Sequence, residues 1–324
     1  MAEVRFAKAI NMALDEALGS DPSVVVFGED LAQAGGPFGV TRGLLDAHGA
    51  NRVRDTPISE ATIVSAAVGA AMSGLKPVVE IMFMDFVTLA MDGLVNQAAK
   101  ARFMFGGQGS VPMVLRTPHG GGVNAGPQHS QCLEAWFSHI PGLKVVVPSN
   151  PSDAYHLLKA AINDPDPVIF VENKAMYSMK GDLDPAGAPV RLGEAHIARE
   201  GTDVTLVTYG AAVHTALRAA DALAARNISL EVIDLRSLQP WDEATVLASL
   251  SRTHRLVILH EAVTPFGVGA EIAARMADVG FDELDAPILR VGAPFMPVPF
   301  AKSLESRYLP DADDVIAAVE KVLA

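Results

Sequence analysis

Residues 60–86 read EATIVSAAVGAAMSGLKPVVEIMFMDF, and this stretch decides the fold. Residues 63–74 are rich in small and apolar side chains and contain no proline, which predicts a helix. After a glycine, residues 78–83 form a short apolar run that predicts a buried strand. A helix followed at once by a buried strand is the repeating unit of a parallel sheet covered by helices.

The same alternation of strands and helices continues on both sides of this stretch. In the first half we predict strands at residues 24–27, 111–115, 145–147 and 168–171, and helices at residues 86–104 and 152–163. In the second half we predict strands at residues 204–208, 230–233, 255–259 and 288–291, and helices at residues 212–225, 242–251 and 269–277. The predicted fold class is therefore α/β, with mostly parallel sheets.

A cluster of glycine, proline and aspartate separates the two patterned halves. It reads KGDLDPAGAP at residues 180–189 and has no periodicity, which is typical of a linker. A chain of 324 residues also suits two domains. We therefore predict one α/β domain over residues 1–182 and a second over residues 183–324.

Composition excludes several classes of partner. The formal net charge is −13 and the basic residues are scattered, so a nucleic-acid partner is not expected. Half of the residues are hydrophobic, which leaves apolar surface for contacts between subunits. No apolar stretch is long enough to be a membrane span. The single cysteine, Cys132, excludes an intrachain disulfide and indicates a reducing compartment, either the cytoplasm or an organelle after processing.

Two segments in the first half offer groups that could bind a ligand. The loop DTPISE delivers Glu60 to the start of a helix, where an acid either stabilises the helix dipole or faces a ligand. The segment EIMFMDF follows at the carboxyl end of a predicted strand, where parallel sheets bind ligands. If that strand persists, Met82, Met84 and Phe86 share one face, which suits a flat heteroaromatic ligand; core packing is the alternative.

A third segment, TPHGGGVNAGPQHSQ at residues 117–131, contains four glycines. Such glycine density indicates close approach of the backbone to another group. The segment lacks the lysine of a P-loop and the spacing of a dinucleotide fingerprint, so neither nucleotide site is predicted. His119 and His129 can exchange protons near neutral pH, and a capping or surface role is the alternative for both.

Seven motifs together resemble the beta subunits of pyruvate dehydrogenase, and the acetoin and branched-chain 2-oxo acid dehydrogenases share much of this pattern. The motifs are DTPISE, EIMFMDF, NQAAK, QHSQCLEAWFSHIPGLKVVVP, DLRSLQPWD, FGVGAE and MPVPFAK. They occur in order from about residue 5 to the C-terminus. The resemblance implies a transketolase-like pyrimidine-binding domain followed by a transketolase C-terminal domain.

The resemblance also implies a thiamine diphosphate at an interface with an alpha subunit. It implies that Glu60 faces N1′ of the aminopyrimidine, that Phe86 stacks on this ring and that Met82 lines its pocket. His129 matches the family histidine that serves acyl transfer to the lipoyl group. A structural potassium site is implied at Ala161, Asp164 and Asp166, with Asp166 standing where relatives have asparagine.

The family binds the diphosphate and its magnesium through a Gly-Asp-Gly segment, which this chain lacks. The resemblance therefore implies an alpha2beta2 heterotetramer whose alpha subunit holds the magnesium, and a lipoyl acyltransferase as further partner. The implied reaction is decarboxylation of pyruvate with acetyl transfer, or cleavage of acetoin. One alternative is the carboxyl half of a split transketolase, for which only Arg116, His119 and His129 could meet a sugar phosphate. The other is a scaffold subunit that has lost its cofactor.

Overall fold

The computed structural model describes residues 2–324, whose contacts divide them into two compact units. The first unit contains the chain up to His119 and the segment Trp136–Leu192, and the second contains Gly120–Ala135 and Gly193–Ala324. Residues 183–192 thus lie with the first unit, whereas the sequence pattern predicts a domain boundary after residue 182. The predicted α/β class with mostly parallel sheets is confirmed.

The strands of the first unit are β1 (Ala2–Arg5), β2 (Val24–Gly28), β3 (Val53–Asp55), β4 (Lys76–Glu80), β5 (Val114–His119), β6 (Lys144–Val146), β7 (Val168–Asn173) and β8 (Lys180–Leu183). Six of them form a parallel sheet in the order β6-β7-β5-β4-β2-β3. The other two, β1 and β8, pair antiparallel with Val4 opposite Gly181. The predicted linker therefore begins with a strand, because backbone pairing with β1 orders a segment that has no apolar pattern of its own.

The α-helices up to residue 162 are α1 (Phe6–Ser20), α2 (Leu44–His48), α3 (Glu60–Met72), α4 (Met84–Val87), α5 (Ala99–Met104), α6 (Glu134–Ser138) and α7 (Pro151–Ile162). The helix predicted over residues 86–104 is interrupted by a 3-10 turn at Thr88–Ala90 and a π-helical turn at Gly93–Ala98. Gly93 packs closely on α3, since a Cβ there would lie 3.0 Å from a methyl of Val64. Tertiary contact with α3 thus overrides the local helical pattern.

Strand β4 ends at Glu80, three residues earlier than predicted. The expectation that Met82, Met84 and Phe86 share one strand face is therefore wrong. Met84 is fully buried at the start of α4, while Met82 and Phe86 are half-buried. Beyond Glu80 the chain bends over residues 81–83 and enters α4, while the Glu80 side chain is held in a buried ion pair with Arg116.

The second unit contains strands β9 (His196–Arg199), β10 (Val204–Thr208), β11 (Leu230–Asp234), β12 (Ser237–Gln239), β13 (Leu256–Val263) and β14 (Leu289–Ala293). Its helices are α8 (Ala212–Ala224), α9 (Glu243–Thr253), α10 (Val268–Val279), α11 (Lys302–Tyr308) and α12 (Ala312–Leu323). Five strands form a sheet in the order β14-β13-β10-β11-β9, in which β9 is antiparallel. Apolar residues of α8 and α12, such as Leu223 and Val319, form its core with β10 and β11.

None of the helices within residues 2–324 has both the length and the apolar character needed to cross a bilayer.

Gly142 lies in a turn of the first unit where the backbone passes close to Ala99, and it gives a test of the packing there. Its φ is +103°, and a Cβ at this position would lie 2.0 Å from the carbonyl oxygen of Ala99. We expect Gly142→Ala to lower the free energy of unfolding, measured by urea denaturation, by more than ~1 kcal/mol. Gly106→Ala is the matched control, because Gly106 also has a positive φ but open space around it. Equal losses in both variants would show that the close contact does not exist.

Candidate active site

Glu60 begins helix α3 at the carboxyl edge of the first unit's sheet, directly after the loop that leaves β3. Its side chain is only 7% exposed. Among residues 2–324 its carboxylate has no hydrogen-bond partner. An acid that merely stabilises a helix start would lie in solvent or accept a backbone hydrogen bond. A residue this buried, whose carboxylate is unpaired but not enclosed, favours the alternative that the carboxylate faces a ligand.

Glu29 is a second carboxylate at this edge, and the sequence reasoning missed it. It directly follows β2, is 8% exposed, and leaves its Oε1 without a hydrogen-bond partner. Burial raises the pKa of Glu29, and the neighbouring Glu60 charge raises it further. The signal in the sequence was an acid placed immediately after a buried strand, but only the neighbouring positions of β2 and β3 in the sheet make it significant.

The raised pKa of Glu29 makes the stability of the chain depend on pH. Because its pKa in the folded chain lies above the ordinary value, the protonated form contributes stability at low pH. That contribution is lost as the pH rises through the raised pKa. We therefore expect Glu29→Gln to gain stability relative to the natural chain as the pH rises above the ordinary carboxyl pKa of 4.5, measured by urea denaturation. The exposed Glu271→Gln should follow the natural chain, and a Glu29→Gln curve parallel to it would contradict the prediction.

Met82 and Phe86 lie beyond the carboxyl end of β4, which neighbours β2 in the sheet. The Phe86 ring contacts Phe83 edge to face, with 5.7 Å between centroids, and Phe83 contacts Phe38 at 6.0 Å. The three neighbouring strands β3, β2 and β4 thus bring Glu60, Glu29 and the Met82–Phe86 segment to one edge. A carboxylate pair beside a thioether and an aromatic ring suits a planar heteroaromatic group.

A buried ionic cluster holds the strand ends behind this edge. The Arg116 guanidinium donates to Glu80 at 2.5 Å and to both carboxylate oxygens of Glu172 at 2.7 and 2.8 Å. The Tyr177 hydroxyl donates to Glu172 at 2.7 Å. Burial raises the pKa of Glu80, although Arg116 opposes this effect. Because the Arg116 guanidinium donates its hydrogen bonds to these carboxylates, it is not available to bind the sugar phosphate of a transketolase substrate.

His129 lies in the second unit, in the glycine-rich segment Gly120–Ala135, so the structure does not place it and Glu60 in one unit. Two carboxylates of the second unit hold the backbone of this segment. Glu261 accepts a hydrogen bond from the Gly121 amide at 2.5 Å, and Glu305 accepts one from the Asn124 amide at 2.9 Å. His119 ends β5 in the first unit and is 2% exposed.

Glu305 offers a test of how the segment with His129 is held. It is 3% exposed, and Glu305→Ala leaves the Asn124 amide without its acceptor. We expect the variant to lose about 1–3 kcal/mol of unfolding free energy and to speed hydrogen exchange at the Asn124 amide. Glu271→Ala, an exposed acid of the same unit, is the control. An Asn124 amide that exchanges equally fast in both variants would show that its hydrogen bond to Glu305 does not hold the segment.

The predicted potassium ligands lie at the opposite, amino edge of the sheet. Asp164 accepts two hydrogen bonds from the Lys144 ammonium, both at 2.7 Å, and Asp166 pairs with Arg102 at 2.5 Å. Ala161 lies in the last turn of α7. A potassium ion here would compete with two protein cations for these carboxylates, and the site stays a prediction.

Comparison with known proteins identifies the class of fold. Residues 2–180 match the family described as "Transketolase, pyrimidine binding domain", and residues 193–315 match "Transketolase, C-terminal domain". A solved structure described as "Split gene transketolase, inactive beta4 tetramer" superposes with a TM-score of 0.83, covering 99% of this chain and 98% of that one. Its sequence identity is 24%, so the likeness concerns the fold alone. The chain has the two-domain transketolase fold.

Curated relatives are similar over nearly the whole chain. Pyruvate dehydrogenase E1 component subunit beta-2, mitochondrial, of Oryza sativa subsp. japonica is 46% identical over 98% of this chain and 86% of its own length. Acetoin:2,6-dichlorophenolindophenol oxidoreductase subunit beta of Bacillus subtilis (strain 168) is 47% identical over 99% and 97%. The chain belongs to the family of these dehydrogenase beta subunits, which confirms the resemblance read from its motifs.

Proposed function

We propose that this chain is the beta subunit of a thiamine-diphosphate-dependent 2-oxo acid dehydrogenase of the pyruvate dehydrogenase type. The observation that carries the proposal is Glu60, a residue only 7% exposed whose carboxylate has no hydrogen-bond partner within residues 2–324 and which lies at the same sheet edge as Met82 and Phe86. These residues fit an aminopyrimidine, because it needs a carboxyl group at a ring nitrogen and apolar surfaces against its faces.

Each residue then has a distinct task. Thiamine diphosphate, when bound, supplies a carbanion-stabilising centre for decarboxylation. Glu60 would hold a proton at the aminopyrimidine N1′. Phe86 would stack on the ring and Met82 would keep water from it. His129 would serve transfer of the acyl group to lipoyl-lysine of an acyltransferase component.

An alpha subunit is part of the proposal. The sequence has no Gly-Asp-Gly segment, and the nearest match, at residues 181–183, lies in β8. The alpha subunit of an alpha2beta2 heterotetramer would therefore hold the diphosphate and its magnesium. Relatives include bacterial and mitochondrial proteins, and a cytoplasmic or organellar location suits the proposal. A potassium ion at Ala161, Asp164 and Asp166 is a separate proposal.

Acetoin is the second candidate substrate, because the acetoin oxidoreductase beta subunit is as similar to this chain as the pyruvate dehydrogenase beta subunits are. Steady-state kinetics of the reconstituted alpha–beta complex on pyruvate, acetoin and branched 2-oxo acids, with an artificial electron acceptor, test the choice. We expect the highest kcat/KM with pyruvate. A higher value with acetoin would replace the proposed substrate, and turnover of ribose 5-phosphate would favour the transketolase alternative.

A further inference from the structure

A cavity of about 500 Å³ opens in the first unit between the start of α1 and the loop of residues 35–43. Glu60, Met82 and Phe86 do not line it, although its Phe38 contacts Phe83, the ring neighbour of Phe86. The residues that matter for its chemistry are Arg5, Lys8, Asn11, Phe38, Arg42 and Tyr177. The proposed function uses none of them.

The charge of this cavity is opposite to that of the chain. Arg5, Lys8 and Arg42 give it three cationic side chains, while no carboxylate lines it and the chain carries a formal net charge of −13. Within residues 2–324, neither Arg5 nor Arg42 forms an ion pair. Arg102, by contrast, pairs with Asp166. Two unpaired guanidinium groups at one cavity therefore indicate a site for an anion.

Asn11 preorganises two of the three cations. Its side chain is 6% exposed, and its amide nitrogen donates to the carbonyl oxygens of Val40 at 2.8 Å and Arg42 at 3.2 Å. Its amide oxygen accepts a hydrogen bond from the Lys8 ammonium at 2.7 Å. One buried side chain thus fixes both the backbone that carries Arg42 and the position of the Lys8 charge, which lowers the entropy lost on binding.

Aromatic rings supply an apolar wall. Phe38 and Tyr177 stack with 4.8 Å between centroids and an interplanar angle of 25°, and both line the cavity. A concave site of this volume, with a few convergent polar groups on an apolar wall, is typical of small-molecule sites.

We propose that this cavity binds a phosphate monoester of a small metabolite. A phosphate dianion suits two guanidinium forks and an ammonium better than a single carboxylate would, because its oxygens accept several charge-assisted hydrogen bonds. The organic part of the ligand would lie against Phe38 and Tyr177. This site goes beyond the proposed function, since it needs neither thiamine diphosphate nor the alpha subunit.

The test is isothermal titration calorimetry of the full chain with three probes: inorganic phosphate, AMP and adenosine. We expect saturable binding of phosphate, tighter binding of AMP and no binding of adenosine. Arg42→Gln and Arg5→Gln should each weaken AMP binding by ~10-fold. Arg226→Gln is the matched control, since it removes the same charge from an exposed ion pair with Glu320 in the second unit. Added salt should weaken binding of both anions.

Three results would overturn the proposal. The first is the absence of saturable binding of both phosphate and AMP. The second is equal AMP affinity in Arg42→Gln and Arg226→Gln. The third is loss of AMP binding when the alpha chain is added, together with weaker subunit assembly in Arg42→Gln, which would make the cavity a docking site for an acidic segment of the partner. Because calorimetry requires no turnover, failure of this site and failure of the proposed enzyme function are distinguishable.

Discussion

Glu60→Gln is expected to lower kcat of the reconstituted alpha–beta complex by at least ~100-fold, the scale of a lost proton-transferring group. Glutamine keeps the size of the side chain and still offers an amide nitrogen and oxygen, but it cannot exchange a proton with the aminopyrimidine. The natural carboxylate has no hydrogen-bond partner within residues 2–324, so the substitution breaks no internal hydrogen bond of the fold. The measurement is the steady-state rate of pyruvate-dependent reduction of an artificial electron acceptor.

Two controls separate chemistry from folding in this experiment. The circular dichroism spectrum and urea midpoint of Glu60→Gln should match those of the natural chain. Glu271→Gln, at an exposed helical position of the second unit, should keep full kcat. If Glu60→Gln turns over at the natural rate, the role assigned to Glu60 is wrong.

Arg116→Met is expected to cause the largest loss of stability among the substitutions considered. The variant keeps most of the side-chain volume but leaves Glu80 and Glu172, which are 3% and 0% exposed, without their cation. Removing one partner of a buried ionic cluster costs about 3–5 kcal/mol, because the remaining charge stays desolvated and unpaired. Urea denaturation of the isolated chain measures this loss.

Arg102→Met is the matched control for Arg116→Met, since it breaks the half-exposed pair with Asp166. Exposed pairs contribute about 0–1 kcal/mol, so the two variants should differ by at least ~2 kcal/mol. Similar losses in both variants would contradict the view that the buried cluster holds the carboxyl ends of β4, β5 and β7 in place.

The local patterns predicted most of the elements, and they failed where distant contacts decide the structure. The small-residue helix α3 and the strands β2, β10 and β11 follow from composition: α3 is a proline-free run of small residues, and the strands are short β-branched runs. The end of β4 at Glu80 was missed because apolar residues continue beyond it, and only the pair with Arg116 explains the buried acid. The π-helical turn at Gly93–Ala98 likewise depends on contact with α3, which no sequence window contains.

Some residues of the candidate site could be predicted from local sequence, and others could not. Glu60 could be singled out because the loop DTPISE presents an acid at a helix start. Glu29 could not, because its importance depends on β2 and β3 being neighbours in the sheet. The two acids that hold the segment with His129 could not be predicted from sequence either, because Glu261 and Glu305 lie 140 and 181 positions away from the amides that they bind. Arg116 was considered as a substrate contact and is instead part of the support behind the site.

The central claim is that this chain holds half of a thiamine diphosphate site. Calorimetric titration of thiamine diphosphate with magnesium into this chain alone, the alpha chain alone and their mixture tests it most directly. We predict tight saturable binding only in the mixture, weakened when the mixture contains Glu60→Gln. Equally tight binding to the chain alone, or no binding to the mixture, would contradict the claim.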